Sequence, residues 1–393
     1  MAAIQYTDRG TAVRVSPAGR ALTEAVLAAL GAPSILNTQP WHWRIDGDIA
    51  QLRADRTRQL ATIDPDGRLL TVSCGTALHH ARVALAADGV AAEVTYLPEG
   101  DDPDLLATVR HAGTVDRSAE SQRLRRAMSI RRTDRRPFAD QDVPEAALDR
   151  LRAAAIAAGA DLHVVRPQDL VDVVVAAGHA AEVEREDPAY RAELAAWVRD
   201  GAEDGVPPAT AAAGGPRPVP IRDFTGTTAG QVSIYAGGDI ADRHARYAVL
   251  VTEGDLARDW LAAGEALSAV LLAAVGAGLG ASPMSDLVEV APARAMLRRM
   301  LGEIGHPAMV VRIGVPGRQG ADGPAEAPGQ AEVAAEAAGA EAEEATGPAE
   351  VTGPAAAGPV GAAPVPVTPR RPSVSVVDLV AEPVDGGGDE LPR

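Results

Sequence analysis

Apolar side chains recur three and four residues apart from Leu22 to Leu30, where Leu22, Ala25, Val26, Ala29 and Leu30 share one face. Ser16 and Pro17 ahead of them suit an N-cap and a first helical position, and Gly31 suits the C-cap, so a helix over about 17–30 is predicted. The period then drops to two: Trp41, Trp43 and Ile45 alternate with His42 and Arg44, Asp46-Gly47-Asp48 offers a tight turn, and Ile49 to Ala54 continues, the pattern of a β-hairpin. Ser73 is the expected cap of a second helix whose apolar face is Cys74, Ala77, Leu78, Ala81 and Leu85. Glu93 to Leu97 reads as a strand. Further helices are expected from about Ser121 to Ile130 and from Glu145 to Ala158, with strands at Asp161 to Val165, Tyr247 to Thr252 and Ala308 to Ile313.

Between Asp255 and Leu279 the pattern is apolar on nearly every side, which places a long helix at the centre of a large core. Its longest apolar stretch, Ala266 to Leu279, is broken by Gly276 and Gly278 and is too short for a bilayer span. Positions 189 apart repeat: Gly75-Thr-Ala-Leu78 lies against Gly264-Glu-Ala-Leu267, Ala84 against Ala273 and Gly89 against Gly278. Such small residues would let two long helices approach closely, and the repeat points to an internal duplication. The expected class is α+β, two pseudo-symmetric halves, each with helices around a mostly antiparallel sheet.

Composition changes this picture only past Pro316. From Gly317 to Val367 the chain is Ala, Gly, Pro and Glu with almost no bulky apolar residue, so a disordered segment is expected over 317–367. From residue 317 onward there are 13 acidic and 4 basic residues, −9 of the total formal charge of −17. The acidity therefore says little about any site in the body. Bulky residues return at Thr368-Pro-Arg-Arg-Pro-Ser-Val-Ser-Val-Val-Asp-Leu-Val380, and residues 368–393 are read as an arm that docks back, followed by a tail. The boundaries are then 1–117, 118–316, 317–367 and 368–393.

Among 393 residues there is one cysteine, 3% aromatics and no lysine, all 37 basic residues being arginine. These counts exclude a disulfide-stapled module, a cysteine-rich zinc domain, a strongly basic nucleic-acid binder, and any chemistry that needs a lysine. The opening MAAIQYTDRG has no basic region followed by an apolar core, so a soluble cytoplasmic protein is expected. Cys74, on an apolar face, reads as a packing thiol. His79 and His80 point about 100° apart on a helix, poor geometry for a shared metal.

Two segments could carry chemistry. Ala32-Pro-Ser-Ile-Leu-Asn-Thr-Gln-Pro-Trp41 sets Ser34, Asn37, Thr38 and Gln39 between a helix end and a strand start, where backbone groups are free to meet a ligand. Ile130-Arg-Arg-Thr-Asp-Arg-Arg-Pro-Phe138 packs four arginines into six positions, which repel one another unless solvated or neutralised, and a phosphate monoester matches their forks.

Pro33-Ser34-x-x-Asn37-x-Gln39-Pro40-Trp41 resembles the flavin-contacting loop of the nitroreductase family, and Arg131-Arg132-Thr133-x-Arg135 resembles that family's Arg-Arg-Ser-x-Arg phosphate motif. The order is inverted, since nitroreductases place the arginine motif first. With the repeat and the ending His306-Pro-Ala-Met-Val-Val-Arg-Ile-Gly314, this is similar to the actinobacterial Acg-type branch, over most of residues 16–316 and again from Thr368 to Leu379. Simpler nitroreductases are homodimers with flavin mononucleotide (FMN) at the interface; the resemblance implies one chain supplying both parts around one FMN, as a monomer or weak homodimer. Arg131, Arg132, Thr133 and Arg135 would then hold the phosphate and ribityl chain, and Pro33, Ser34, Asn37 and Gln39 would border the ring. Pro283, Met284 and Ser285 match by position the loop that approaches flavin N5, while Arg370 and Arg371 would complete the phosphate pocket. An insertion at about 182–224, holding Tyr190 and Trp197, would form a lid.

The implied activity is reduction of nitroaromatics or quinones by NAD(P)H, with no protein acid, base or nucleophile obligatory, no nucleic acid and no membrane. A flavin-storing protein with an occluded site is the alternative, and a scaffold recruiting partners through its acidic segment is a third reading.

Overall fold

The computed structural model describes residues 3–6, 12–98, 100, 102–211, 217–222, 224, 241–317 and 368–380. The expected disordered segment, apart from Gly317, and the tail beyond Val380 lie outside these residues. A short hairpin, β1 (Ala3–Tyr6) and β2 (Ala12–Val15), precedes α1 (Pro17–Ala29). Ser16 caps α1 by accepting from Gly19 N at 3.0 Å. The helix closes on Leu30, not on Gly31, because the backbone stays right-handed there and no left-handed residue is required. The hairpin follows as β3 (Trp41–Asp46) and β4 (Ile49–Ala54), with Gly47 at φ +57° in its turn and Trp41, Trp43 and Ile45 buried.

The next helix, α2 (Arg68–Ala87), starts five residues before the expected Ser73 cap. Asp64 caps it instead from across the turn that ends at Gly67, accepting from Leu69 N at 3.0 Å and Leu70 N at 2.8 Å. Ser73 is thereby inside the helix, donating to Leu69 O. Strands β5 (Val90–Tyr96) and β6 (Leu105–Thr114) pair antiparallel and join the first hairpin through β4.

The chain continues through α3 (Ala119–Ile130), α4 (Glu145–Ala157), β7 (Asp161–Val164), α5 (Leu170–Glu186), α6 (Pro188–Trp197) and the single turn α7 (Pro208–Ala211). After β8 (Arg246–Thr252) come the long α8 (Ala257–Gly276), β9 (Gly280–Met284), the short α9 (Asp286–Glu289), α10 (Ala291–Met300) and β10 (His306–Gly314). Residues 368–380 return to the body: β11 (Val377–Leu379) pairs parallel with β3, Val376 is buried, and Trp43 N donates to Val376 O.

The result is one sheet in the order β11-β3-β4-β6-β5 and another in the order β7-β8-β10-β9. Helices α2 and α8 contribute to the cores of both halves. A methyl group on Gly75 would run into the Leu261 carbonyl, and one on Gly264 would stand 2.7 Å from Gly75 Cα. The two glycines of the repeat therefore meet at the helix crossing. By length and composition α8 could cross a bilayer, since it begins earlier than the apolar run alone suggested; in this fold its apolar surface is largely covered by protein. Cys74 is fully buried and donates to Pro40 O at 3.3 Å, and burial pushes its thiol far above the usual range.

Candidate functional site

The loop after α1 is held in an unusual backbone path. Leu36, Asn37 and Gln39 all have positive φ, 43°, 55° and 48°. Such residues persist only where their surroundings fix them. Here Thr76 of α2 donates to Pro33 O, Ile35 N donates to Ser73 Oγ at 3.0 Å, and Gln39 N donates to Ser34 Oγ at 2.9 Å. Asn37 Nδ2 donates to Gly205 O and Pro369 O, both at 3.0 Å, tying the loop to the segment after α6 and to the returning arm.

Beneath this loop lies a cavity with about 810 Å³ of space free of protein atoms, part of it open to solvent. Pro33 to Leu36 form one wall, Ser73 and Thr76 of α2 another, and Ser282 to Asp286 a third. Thr133 and Arg135 reach it from the arginine segment, and Ile221, Arg222 and Phe224 from the chain after α7. Mainly apolar walls with a few convergent polar groups are the lining expected of a small-molecule site.

Beside it, Arg131 is buried to 4% exposure, and its Nε and Nη1 have no partner among the described residues. Burial, then the charges of Arg370 and Arg132, pull it down to about 9. Arg370 is likewise pulled down to about 10, by burial and then by Arg132, and its fork is aimed by Asn37 Oδ1 at 2.6 Å. Three guanidinium groups thus share one region without a neutralising carboxylate among the described residues, a charge balance that an anion would correct.

A second polar cluster has the opposite composition. Arg222 donates to Glu184, to Glu289 and to the Tyr190 hydroxyl, while Tyr190 OH donates within the carboxylate pair. Asp286, 5% exposed, faces this group and also lines the cavity. Burial pushes its carboxyl up to about 7, with Arg222 opposing and Glu184 and Glu289 reinforcing.

Of the residues singled out in the sequence, Pro33, Ser34, Thr133, Arg135, Pro283, Met284 and Ser285 line the cavity. Arg131, Arg132 and Arg370 gather beside it. Four of the residues singled out have other partners within the chain. Arg135 stands apart from the arginine cluster, stacked on Phe224 at 4.9 Å, and it senses Arg222 and Arg312 rather than Arg131. Arg371 is taken up by Gln39 O, Trp41 O, Asp55 and Ser375 O, so its fork braces the loop and is not free for a phosphate. Asn37 does not line the cavity; its amide orients Arg370. Gln39 is absent from the wall too, because its side chain accepts from Arg371 N and donates to Glu203 O.

The sequence reading missed Ser73, Thr76, Arg222, Phe224 and Asp286 as wall residues. Ser73 and Thr76, three apart in an otherwise apolar helix, were the available signal. His79 and His80 hold no separate site: across the helix crossing both Nδ1 atoms lie 2.8 Å from Ser268 Oγ, despite their divergent directions on α2. Burial lowers His79 to about 3.

Fold and site together define an α+β protein in which a cluster of buried arginines lies near a cavity with mainly apolar walls. The Nitroreductase family matches residues 129–315. In Mycobacterium tuberculosis, the protein named "Putative NAD(P)H nitroreductase Rv3131" is 37% identical over 76% of this chain and 86% of its own. The protein of the same organism named as the NAD(P)H nitroreductase acg, under the same qualifier, is 32% identical over 75% and 88%, and the uncharacterized Rv3127 is 30% identical over 93% and 95%. The chain belongs to the nitroreductase family, in its Acg branch.

Proposed function

We propose that the chain is an FMN-binding NAD(P)H oxidoreductase that reduces nitroaromatic or quinone-type acceptors by two electrons. The observation that carries this is Arg131, a buried guanidinium with two nitrogens that have no partner among the described residues, beside Arg132 and Arg370 and two positions from Thr133 in the cavity wall. The residues fit FMN. Arg131, Arg132 and Arg370 would hold its phosphate, Thr133 and Ser34 would offer hydroxyls along the cavity, and Pro33 to Leu36 with Pro283 to Ser285 would bracket the ring. FMN bound there supplies hydride exchange with nicotinamide and with the acceptor. The chain's own part is to fix orientation: Asn37 aims Arg370, while Thr76 and Ser73 lock the Pro33 to Ile35 wall. Phe224 and Arg222 shield the cavity from water on the side of the segment proposed as a lid.

The purified chain should show a visible flavin spectrum, or acquire one on addition of FMN, at one flavin per chain. Absence of bindable flavin would defeat the proposal.

A second reading, flavin storage, is favoured by the same Phe224 and Arg222, bulky side chains in the cavity wall that would narrow the room for a nicotinamide. Anaerobic NADH or NADPH distinguishes the two: prompt bleaching of the flavin band supports the reductase, and bleaching by dithionite alone supports storage.

A further inference from the structure

Resting on that reading, we propose that Asp286 is the proton donor that accompanies hydride delivery to the acceptor, resupplied from solvent through the cavity. The geometry begins with charge counting. Asp286, Glu184 and Glu289 are three carboxyls in one buried region, and Arg222 is the cation that donates to Glu184 and Glu289. Tyr190 adds a hydroxyl but no charge. The guanidinium is thus engaged by the two glutamates, and burial favours the acid form of Asp286 beside them.

What turns this cluster toward chemistry is the position of Asp286. Its side chain is nine-tenths buried, makes no hydrogen bond to another residue, and forms part of the cavity wall. The other groups around it are identified: Glu184 from α5, Tyr190 from α6, Arg222 from the segment after α7, and Glu289 from its own helix. Arg68 of α2 donates to Val288 O nearby, and Arg135 lines the same cavity. Arg222 favours the carboxylate, whereas burial and the two glutamates favour the acid, and the acid prevails up to about pH 7.

The step balances as follows. A quinone receives a hydride, two electrons and one hydrogen, at one carbonyl from the cofactor that NAD(P)H has reduced. The Asp286 O–H bond breaks, and its proton passes to the opposite carbonyl oxygen, completing the hydroquinone. The Asp286 carboxylate then recovers a proton from solvent in the cavity.

The test is a single-turnover oxidation: flavin-loaded chain, reduced with dithionite under anaerobic conditions, is mixed with para-benzoquinone, and the return of the flavin band is timed. Asp286→Asn should keep its flavin yet reoxidise about 100-fold more slowly, and Asp286→Glu should recover most of the rate. The wild-type rate should fall as pH rises through about 7, with a solvent deuterium effect, and the Asn variant should lose both signatures. An Asn variant that reoxidises at the wild-type rate overturns the inference. If that variant fails to load flavin, a flat wild-type pH profile without a deuterium effect overturns it equally. A wild-type chain that binds no flavin overturns the FMN reading itself, and this inference with it.

Discussion

Replacing Arg131 by methionine should make the flavin-free chain more stable and its grip on FMN weaker, two effects of opposite sign from one buried charge. Without an anion, the guanidinium is held in the interior with two unpartnered nitrogens. Its fall from 12.5 to about 9 corresponds to roughly 5 kcal/mol against the charged form, at about 1.4 kcal/mol per tenfold change. Side-chain movement and water entry relieve much of such a penalty, so a recovered stability of about 1–3 kcal/mol is expected. Methionine keeps most of the volume and adds no polar group. At about 2–4 °C per kcal/mol, melting of the flavin-free chain should rise by about 2–12 °C. A charge-assisted hydrogen bond contributes about 1.5–3 kcal/mol, so FMN should bind about 10- to 150-fold more weakly. Riboflavin, which has the same ring without the phosphate, supplies the control: its affinity should change little. Calorimetry of the flavin-free proteins and fluorescence titration with both flavins measure all three quantities. Equal losses of FMN and riboflavin affinity, or a destabilised flavin-free variant, would refute the anion clamp.

Adding a methyl at Gly264 should force α2 and α8 apart, since it would run into the Val72 carbonyl; a loss of about 3 kcal/mol or more is expected in chemical denaturation, with Gly276→Ala, where no atom lies near, as the neutral control. Arg370→Ala should weaken FMN about 10-fold or more with riboflavin unaffected, whereas Arg371→Ala should cost about 1–2 kcal/mol of stability by stranding Gln39 O and move the FMN/riboflavin ratio far less. Asp64, pushed up to about 6 by burial, holds its proton in the folded chain at pH values where the unfolded chain has lost it. Its contribution is therefore fully present below about pH 4 and lost as pH rises through 6, so the stability of the wild type relative to Asp64→Asn should fall by up to about 3 kcal/mol over that range. Denaturation midpoints of the two proteins at several pH values read this directly.

What the sequence revealed were elements whose signals are local. Ser16-Pro17 opens α1, the alternation of Trp41, Trp43 and Ile45 defines β3, and the expected starts at Ser121 and Glu145 fall within two residues of those of α3 and α4. The start of α2 was misread because its cap, Asp64, acts across a turn from outside the helix. β6 escaped because burial alternates along only part of it, and α6 escaped although Asp187-Pro188 is an ordinary opening that caps through Asp187 Oδ1. In the site, the motifs located the right segments but not the right side chains. Arg370 and Arg371 are adjacent in sequence, and nothing in their order says that one serves the anion clamp while the other braces the loop. Extended neighbours point to opposite sides, and which side meets Arg131 depends on the register of β11 against β3. Asn37 and Gln39 read as ligand contacts because they are small and polar, yet their left-handed backbone directs their amides into the protein.

The division of charge around the cavity is what lets both proposed roles coexist. Arg131 senses Arg370 and Arg132, whereas Asp286 senses Arg222, Glu184 and Glu289. Were the carboxyls placed among those three arginines, each set would neutralise the other, leaving neither a site that attracts a phosphate nor an acid that keeps its proton near neutral pH. Arg222 shows how closely the balance is drawn. One guanidinium among three carboxyls is enough to keep the cluster folded, through bonds to Glu184, Glu289 and Tyr190, and too little to ionise Asp286 fully. A second cation there would favour the carboxylate and silence the acid. The nearest candidate, Arg135, is kept engaged by the ring of Phe224. A chain without lysine makes this arrangement easier to hold, because every cation near the cavity is a planar fork whose direction is fixed by stacking or by hydrogen bonds, as Asn37 fixes Arg370.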